Sequence, residues 1–181
     1  MDFREVDKRT VSRDLLRFAD YCLSLTEGGP MPHRHSFEVR TVPWLFGLIA
    51  TVDVLDGGAD YRFAYSGDLW KLALHCDLTG LRLSEIEASS ARMPLALRTH
   101  YDAAVRARAP RYRFGRWIWP DEYFIRLERL IVPFAGKGGA VSMLVVAVQC
   151  EKSIGEIMEE CRHRGEPRLE LELSRRAVAA A

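Results

Sequence analysis

Apolar residues near the start of the chain recur three and four positions apart, the spacing of one face of an α-helix. This stripe consists of Leu15, Phe18, Ala19, Cys22 and Leu25. Thr10 or Ser12 precedes it as a candidate N-cap, and Gly28-Gly29-Pro30 ends it. The spacing predicts an amphipathic helix, followed by an irregular connector over residues 31–43, which has prolines towards both ends.

The spacing then changes to the alternation of β-strands. Residues 48–54 place every second apolar side chain on one face, and residues 61–66 alternate Tyr61, Phe63 and Tyr65 with small or polar residues. The intervening DGGAD, residues 56–60, has the composition of a tight turn. These features predict a β-hairpin.

Helical spacing returns after the hairpin. One short apolar stripe consists of Leu69, Leu72, Ala73 and Cys76, with Gly80 as a C-terminal stop and Ser84 as the cap of one more short turn. A second stripe within residues 89–110 consists of Leu97, Tyr101, Ala104 and Val105, and Pro110 ends it. Two or three helices are therefore predicted between the hairpin and the next strands.

Three more strands are predicted at residues 111–119, 123–132 and 140–150, joined by short turns. Gly115 is a candidate bulge, so the alternation leaves open which face of 111–119 lines the interior. Together the five strands predict an α+β fold, an antiparallel sheet with helices on one face and a small-molecule cavity between them. Residues 1–30 and 151–181 are expected to be helical extensions of a domain over 31–150.

Composition supports an ordinary globular domain. The chain has 181 residues, 48% hydrophobic and 28% charged, with a formal net charge of +1. That balance gives no overall field favouring nucleic acid or an anionic membrane, and no apolar run is long enough for a membrane helix or a signal peptide. We therefore expect a cytoplasmic protein that binds neither, and four scattered cysteines without a CxxC pair fit free thiols.

Candidate catalytic chemistry is weak. His75, Cys76 and Asp77 are adjacent, but neighbouring helical residues point about 100° apart, and Cys76 continues a buried stripe. His33 and His35 lack the further ligands that zinc needs, and the GKGG at 136–139 opens no helix that would hold phosphate. The sequence therefore predicts no catalytic residues and no metal site.

The order of elements resembles a PAS domain, and several motifs are similar to a stand-alone bacterial PAS subfamily common in alphaproteobacteria. The residues that carry the resemblance are MPHRHSFEVRTVPWLFGLIATVDV, DYRFAYSGDLW, DLTGLRLSEI and RLERLIVPFAGKGGAVSMLVV. The resemblance implies a sensory or regulatory module that binds a small ligand, often dimerises and has no catalysis of its own. It implies no particular ligand or cofactor.

Within that framework, aromatic residues are the candidates for a ligand pocket, because they offer apolar area together with polar handles. The predicted pocket residues are Trp70, Tyr101, Tyr112 and Phe114. An alternative is a haem-dependent gas or redox sensor, since His100 lies on the helix that carries the axial histidine in haem-binding PAS sensors. The predicted partners are a small apolar or amphipathic ligand, a signalling protein, and a second copy packed through the N-terminal helix.

Overall fold

The computed structural model describes residues 11–74, 77–89, 96–165 and 167–171. Within these residues, six strands form one sheet in which all neighbours are antiparallel. The strands are β1 (Ile49–Leu55), β2 (Asp60–Ser66), β3 (Arg111–Ile118), β4 (Phe124–Ala135), β5 (Val141–Cys150) and β6 (Arg168–Leu171). Their order across the sheet is β2-β1-β5-β4-β3-β6.

Helices cover both faces of this sheet. They are α1 (Arg13–Ser24), α2 (Asp68–Leu74), α3 (Leu83–Ser89), α4 (Ala96–Ala107) and α5 (Ile154–Arg164). The connector after α1 contains short 3₁₀ turns at Arg34–Ser36, Val39–Thr41 and Pro43–Leu48. It is irregular, as predicted, because its prolines interrupt longer hydrogen-bonded elements.

Two hydrophobic clusters occupy the two faces. On what we call the inner face, α2, α3, α4 and α5 contribute buried residues such as Leu69, Leu83, Tyr101 and Ile157 to one cluster with the sheet. On the outer face, α1 and the connector form the second cluster with the other side of the sheet. The apolar stripe predicted for α1 is therefore buried against this chain's own strands, with Leu15, Phe18 and Cys22 fully covered.

The five predicted strands and their α+β arrangement are confirmed. The prediction of a helical C-terminal tail is wrong for residues 168–171, which form β6 against β3. The leucines of the sequence RLEL alternate with charged residues, a pattern typical of a strand. Without β6, the backbone groups on one edge of β3 would be unpaired, and β6 pairs with that edge.

The register of β3 settles the question that Gly115 left open. The pairing with β4 runs without a shift from Arg111↔Ile131 to Ile118↔Phe124, so Gly115 forms no bulge. Because side chains alternate along an unbroken strand, Arg113 and Trp117 lie on the inner face, and Tyr112 and Phe114 lie on the outer face.

Helices lie at the predicted apolar stripes over the inner face, as far as those stripes fall within the described residues. The predicted helix 89–110 appears as α4, and residues 90–95, including Pro94, lie outside the described residues. Gly80 has a φ of 88° in a turn, and its backbone amide donates a hydrogen bond to the Phe63 carbonyl at 2.7 Å. This turn attaches the segment between α2 and α3 to β2.

Candidate functional site

A buried arginine lies at the centre of the inner face. On β4, Ile125, Leu127 and Ile131 pack into the inner cluster, and Arg129 occupies the same alternating row. Its exposed fraction is only 1%. A guanidinium therefore replaces an aliphatic side chain in the middle of the core row.

His100 on α4 is the hydrogen-bonding partner of this arginine. Arg129 Nη2 donates to His100 Nδ1, and the histidine is also buried. A guanidinium has donors and no acceptor, so Nδ1 must be the accepting nitrogen. The His100 ring is consequently neutral with its proton on Nε2.

The rest of the guanidinium has no acceptor in the part of the chain that the structure describes. Arg129 Nε and Nη1 are buried without a hydrogen-bond partner there, as is the hydroxyl of the neighbouring Tyr101. Leaving a buried donor unsatisfied costs about 1–3 kcal/mol, and more when the group is charged. The cluster of Arg129, His100 and Tyr101 is what we call the inner polar site.

Electrostatics at the inner polar site are those of a desolvated cation. Burial lowers the pKa of Arg129 to about 10; the nearby Tyr101 opposes this shift and Arg113 adds to it. The side chain therefore remains protonated at neutral pH. Burial also raises the pKa of Tyr101, so its hydroxyl stays neutral.

Ion pairs fix α4 above the sheet. Arg98 Nη2 contacts Asp60 Oδ1 at 3.1 Å and Glu87 Oε2 at 2.9 Å, which joins α4 to β2 and α3. One turn later, Asp102 accepts a 2.6 Å hydrogen bond from the Tyr61 hydroxyl. These contacts flank His100 and Tyr101 and set their height above Arg129.

The four predicted pocket residues divide between the two faces. Trp70 and Tyr101 are buried in the inner cluster. Tyr112 packs into the outer cluster instead, and Phe114, 40% exposed, contacts Tyr112 edge-on at 5.1 Å on that side. The four side chains therefore do not line a single cavity, because the unbroken alternation of β3 turns Tyr112 and Phe114 away from α4.

An open groove lies on the outer face beside Phe114. It encloses about 280 Å³ and is lined by Phe114, Gly115, Arg116, Phe124 and Arg126. The Arg116 guanidinium lies 5.6 Å from the ring centroid of Phe124. This groove is amphipathic, with Arg126 exposed and Arg116 half-buried.

His100 does not fit the role of an axial haem ligand in this geometry. Iron would require the Nε2 lone pair, whereas the hydrogen bond from Arg129 to Nδ1 leaves the proton on Nε2. A guanidinium at the opposite nitrogen also withdraws electron density, the reverse of the carboxylate or carbonyl partner that strengthens a ligating histidine.

The other candidate chemical groups remain isolated. His33 and His35 stack with centroids 5.5 Å apart, and among the described residues no group of three His, Cys, Asp or Glu side chains could hold a metal. His75 and Cys76 lie outside the described residues; Asp77 is exposed and 3.2 Å from Lys71. No helix in the described ranges is long and apolar enough to cross a membrane.

Sequence reasoning missed Arg129, although a signal was present. The segment FIRLERLIV alternates apolar residues at 125, 127 and 131, and an arginine interrupts the inward row at 129. A charged residue in register with core positions is rare without a partner, and it marks a position for closer inspection. Arg111 and Arg113 on β3 also lie on the inner face by register.

No protein-family model matches this chain, and no curated protein sequence matches it. The solved structures that are similar to it in part include the following two. One is the VqmA–ligand–DNA complex of Vibrio cholera, with a TM-score of 0.40 and 13% identity over 71% of this chain and 59% of that one. The other is the PAS domain of Bordetella pertussis BvgS, with a TM-score of 0.36 and 11% identity over 81% of this chain and 96% of that one. At these scores neither likeness indicates a ligand or partner.

Proposed function

We propose that this protein is a PAS-type sensory or regulatory module that binds a small ligand between the inner face of its sheet and α4, without catalysis of its own. The observation that carries the proposal is Arg129, a charged side chain with an exposed fraction of 1% and two nitrogens that lack an acceptor among the described residues. A small molecule at the inner polar site would supply the acceptor.

A purely structural role accounts poorly for this arginine. Burying an ion costs several kcal/mol unless a partner of opposite charge and further hydrogen bonds offset the loss of hydration. The described residues offer Arg129 one neutral acceptor, His100 Nδ1. An apolar residue at this position of β4 would pack in the core without that cost, so a ligand-binding role explains the charge better than stability does.

Ligand binding at this site would act directly on α4. A ligand that binds Arg129 would weaken or reorient the hydrogen bond between Arg129 and His100. His100 lies on α4 next to Tyr101, so the change would be felt by this helix. Because Arg98 joins α4 to α3 and β2 through Glu87 and Asp60, a shift of α4 would reach the surface of those elements. The proposed site is therefore in contact with the helix whose shift would carry the signal, as a two-state sensor needs.

We further propose that the module works in the cytoplasm and transmits its signal to a protein partner or a second copy of itself. If α1 mediates that contact, it does so through its exposed side, where Leu23 is 44% exposed. Leu15 and Phe18 cannot serve, because both are fully buried against the sheet of their own chain.

Native mass spectrometry of the purified protein tests the proposal. We expect a mass above that of the bare chain under native conditions, with the excess lost on denaturation, and it would also report the oligomeric state. A bare chain in the native spectrum, together with no rise in melting temperature across a panel of small metabolites, would contradict a ligand-binding function.

A further inference from the structure

We propose that the ligand of this module is a small organic acid whose carboxylate pairs with the Arg129 guanidinium at the inner polar site. This inference rests on the proposed function and adds the chemical class of the ligand. Two observations support it: the buried nitrogens of Arg129 that lack a partner are hydrogen-bond donors, and the charge at the site is positive.

The unmatched atoms are chiefly donors. Arg129 Nε and Nη1 can only donate, and so can the indole nitrogens of Trp117 and Trp119, which are also buried without a partner in the described part of the chain. Trp117 lies on the same face of β3, two rows from the Arg113–Arg129 pair. The two unmatched nitrogens of Arg129 itself would be satisfied by a ligand that brings acceptors, and a carboxylate brings two oxygens and no donor.

Charge favours an anion over a neutral carbonyl. Arg113 lies directly opposite Arg129 across the two strands, and His100, which faces it from α4, is neutral. The charge of the enclosed Arg129 attracts an anion strongly, because little water is there to screen it. A carboxylate at Arg129 would make charge-assisted hydrogen bonds, for which the planar guanidinium is shaped.

The surroundings of the guanidinium define the rest of the ligand. Leu127 and Ile131 flank Arg129 on the same face of β4, and the Tyr101 ring approaches from α4. These groups would contact an apolar body and not a second charge. The expected ligand is therefore a monocarboxylate with an aliphatic or aromatic body.

Comparing each acid with its amide separates the contribution of the carboxylate from that of the rest of the molecule. Acetate and benzoate would be compared with acetamide and benzamide by thermal shift and calorimetry, using the wild type, Arg129→Met and Arg126→Met. Arg126 lies on the same strand with its side chain on the opposite, outer face, so it is a matched control for loss of an arginine. We expect the acids to stabilise the wild type and R126M, the amides to have little effect, and R129M to lose at least about tenfold in affinity for the acids.

The outcomes distinguish this inference from the proposed function. Equal binding of acids and amides, unchanged in R129M, would leave a ligand-binding module but overturn the carboxylate. No response to either acid in the wild type would also overturn it, while a retained neutral molecule in native mass spectra would preserve the proposed function. If R129M fails to fold, Arg129→Lys provides the test, because it keeps the charge and removes the planar fork; unchanged acid binding in R129K would contradict the inference.

Discussion

Arg113 and Arg129 lie directly opposite each other on β3 and β4, so two guanidinium groups share the face of the sheet that α4 covers. The two positions differ in burial: Arg129 is fully enclosed, while Arg113 is partly exposed and donates through Nη1 to the Tyr112 carbonyl at 2.7 Å. This asymmetry assigns them different parts in binding. Arg129 would make the direct contact, and Arg113 would contribute mainly through its charge.

Arg113→Met should therefore weaken benzoate binding less than Arg129→Met does. Solvent screens the charge of a partly exposed group, so its long-range contribution is smaller than that of a buried hydrogen-bonding partner. Calorimetric titration of benzoate at low and high salt measures both effects, and the R113M difference should shrink with salt. A larger loss in R113M than in R129M would place the ligand elsewhere on the inner face.

Leu15→Ala should destabilise the chain without changing its oligomeric state. Leu15 is fully buried between α1 and the outer face, so truncation leaves a cavity and costs about 2–5 kcal/mol in the free energy of unfolding. Leu23→Ala on the exposed side of the same helix is the control, with an expected change within about 0.5 kcal/mol. Urea melts and light scattering check both; dissociation of a dimer by L15A with unchanged unfolding would contradict the packing of α1.

Tyr61→Phe should cost about 1 kcal/mol in stability, because it deletes the 2.6 Å hydrogen bond that the Tyr61 hydroxyl donates to Asp102 on α4. Tyr65→Phe removes an exposed hydrogen bond of 2.9 Å from the Tyr65 hydroxyl to the Phe46 carbonyl, and it should reduce stability by less. Chemical denaturation of the two variants gives the comparison. If Y61F is as stable as the wild type, the bond does not help to hold α4.

Among the three described cysteines, Cys161 should react first with a thiol reagent at pH 8. Burial raises the pKa of Cys150 to about 12 and raises that of Cys22, so both thiols remain protonated and enclosed. Cys161 also has a raised pKa, but it is only half-buried on α5. Mass mapping of the labelled sites, with Cys161→Ser as control, checks the order; rapid labelling of Cys22 in folded protein would contradict the burial of α1.

Glu160 should make the stability of α5 depend on pH. Hydrogen bonds from Lys152 and then Arg164 lower its pKa from 4.5 to about 2. A carboxyl with a lowered pKa adds stability above its unfolded value and loses it as the pH falls through the folded value. The wild type should therefore exceed Glu160→Gln in stability at pH 6, and the difference should fade between pH 4.5 and 2. A difference that does not change over that range would show that the ion pairs contribute nothing.

Local patterns in the sequence predicted most of the fold. The period-2 segments became β1 to β5, and the stripe at Leu15 and Phe18 became α1, because alternating burial and helical burial leave different spacings. The short RLEL segment was predicted incorrectly, since its strand state depends on pairing with β3, a contact distant in sequence. Propensity alone carries no information about such a partner.

The candidate site was less predictable than the fold. Tyr101 belongs to a predicted helical stripe, and Trp70 was chosen for its aromatic side chain; both are buried in the inner cluster. The faces of Tyr112 and Phe114 required the register of β3, which Gly115 made ambiguous. Arg129 and His100 are 29 residues apart, and only the packing of α4 on β4 brings them together. Aromatic content selected residues on both faces of the sheet, and the buried contact between Arg129 and His100 emerges only in the tertiary structure.

The most direct test of the account is the NMR signal of the Arg129 side chain. In a ¹H–¹⁵N spectrum of arginine Nε–H groups, the buried Arg129 should give a resonance that is protected from exchange and absent in R129M. We predict that benzoate shifts this resonance downfield in a saturable way, while benzamide leaves it in place. An Arg129 resonance that does not move at benzoate concentrations that raise the melting temperature would contradict the claim that this guanidinium binds the ligand.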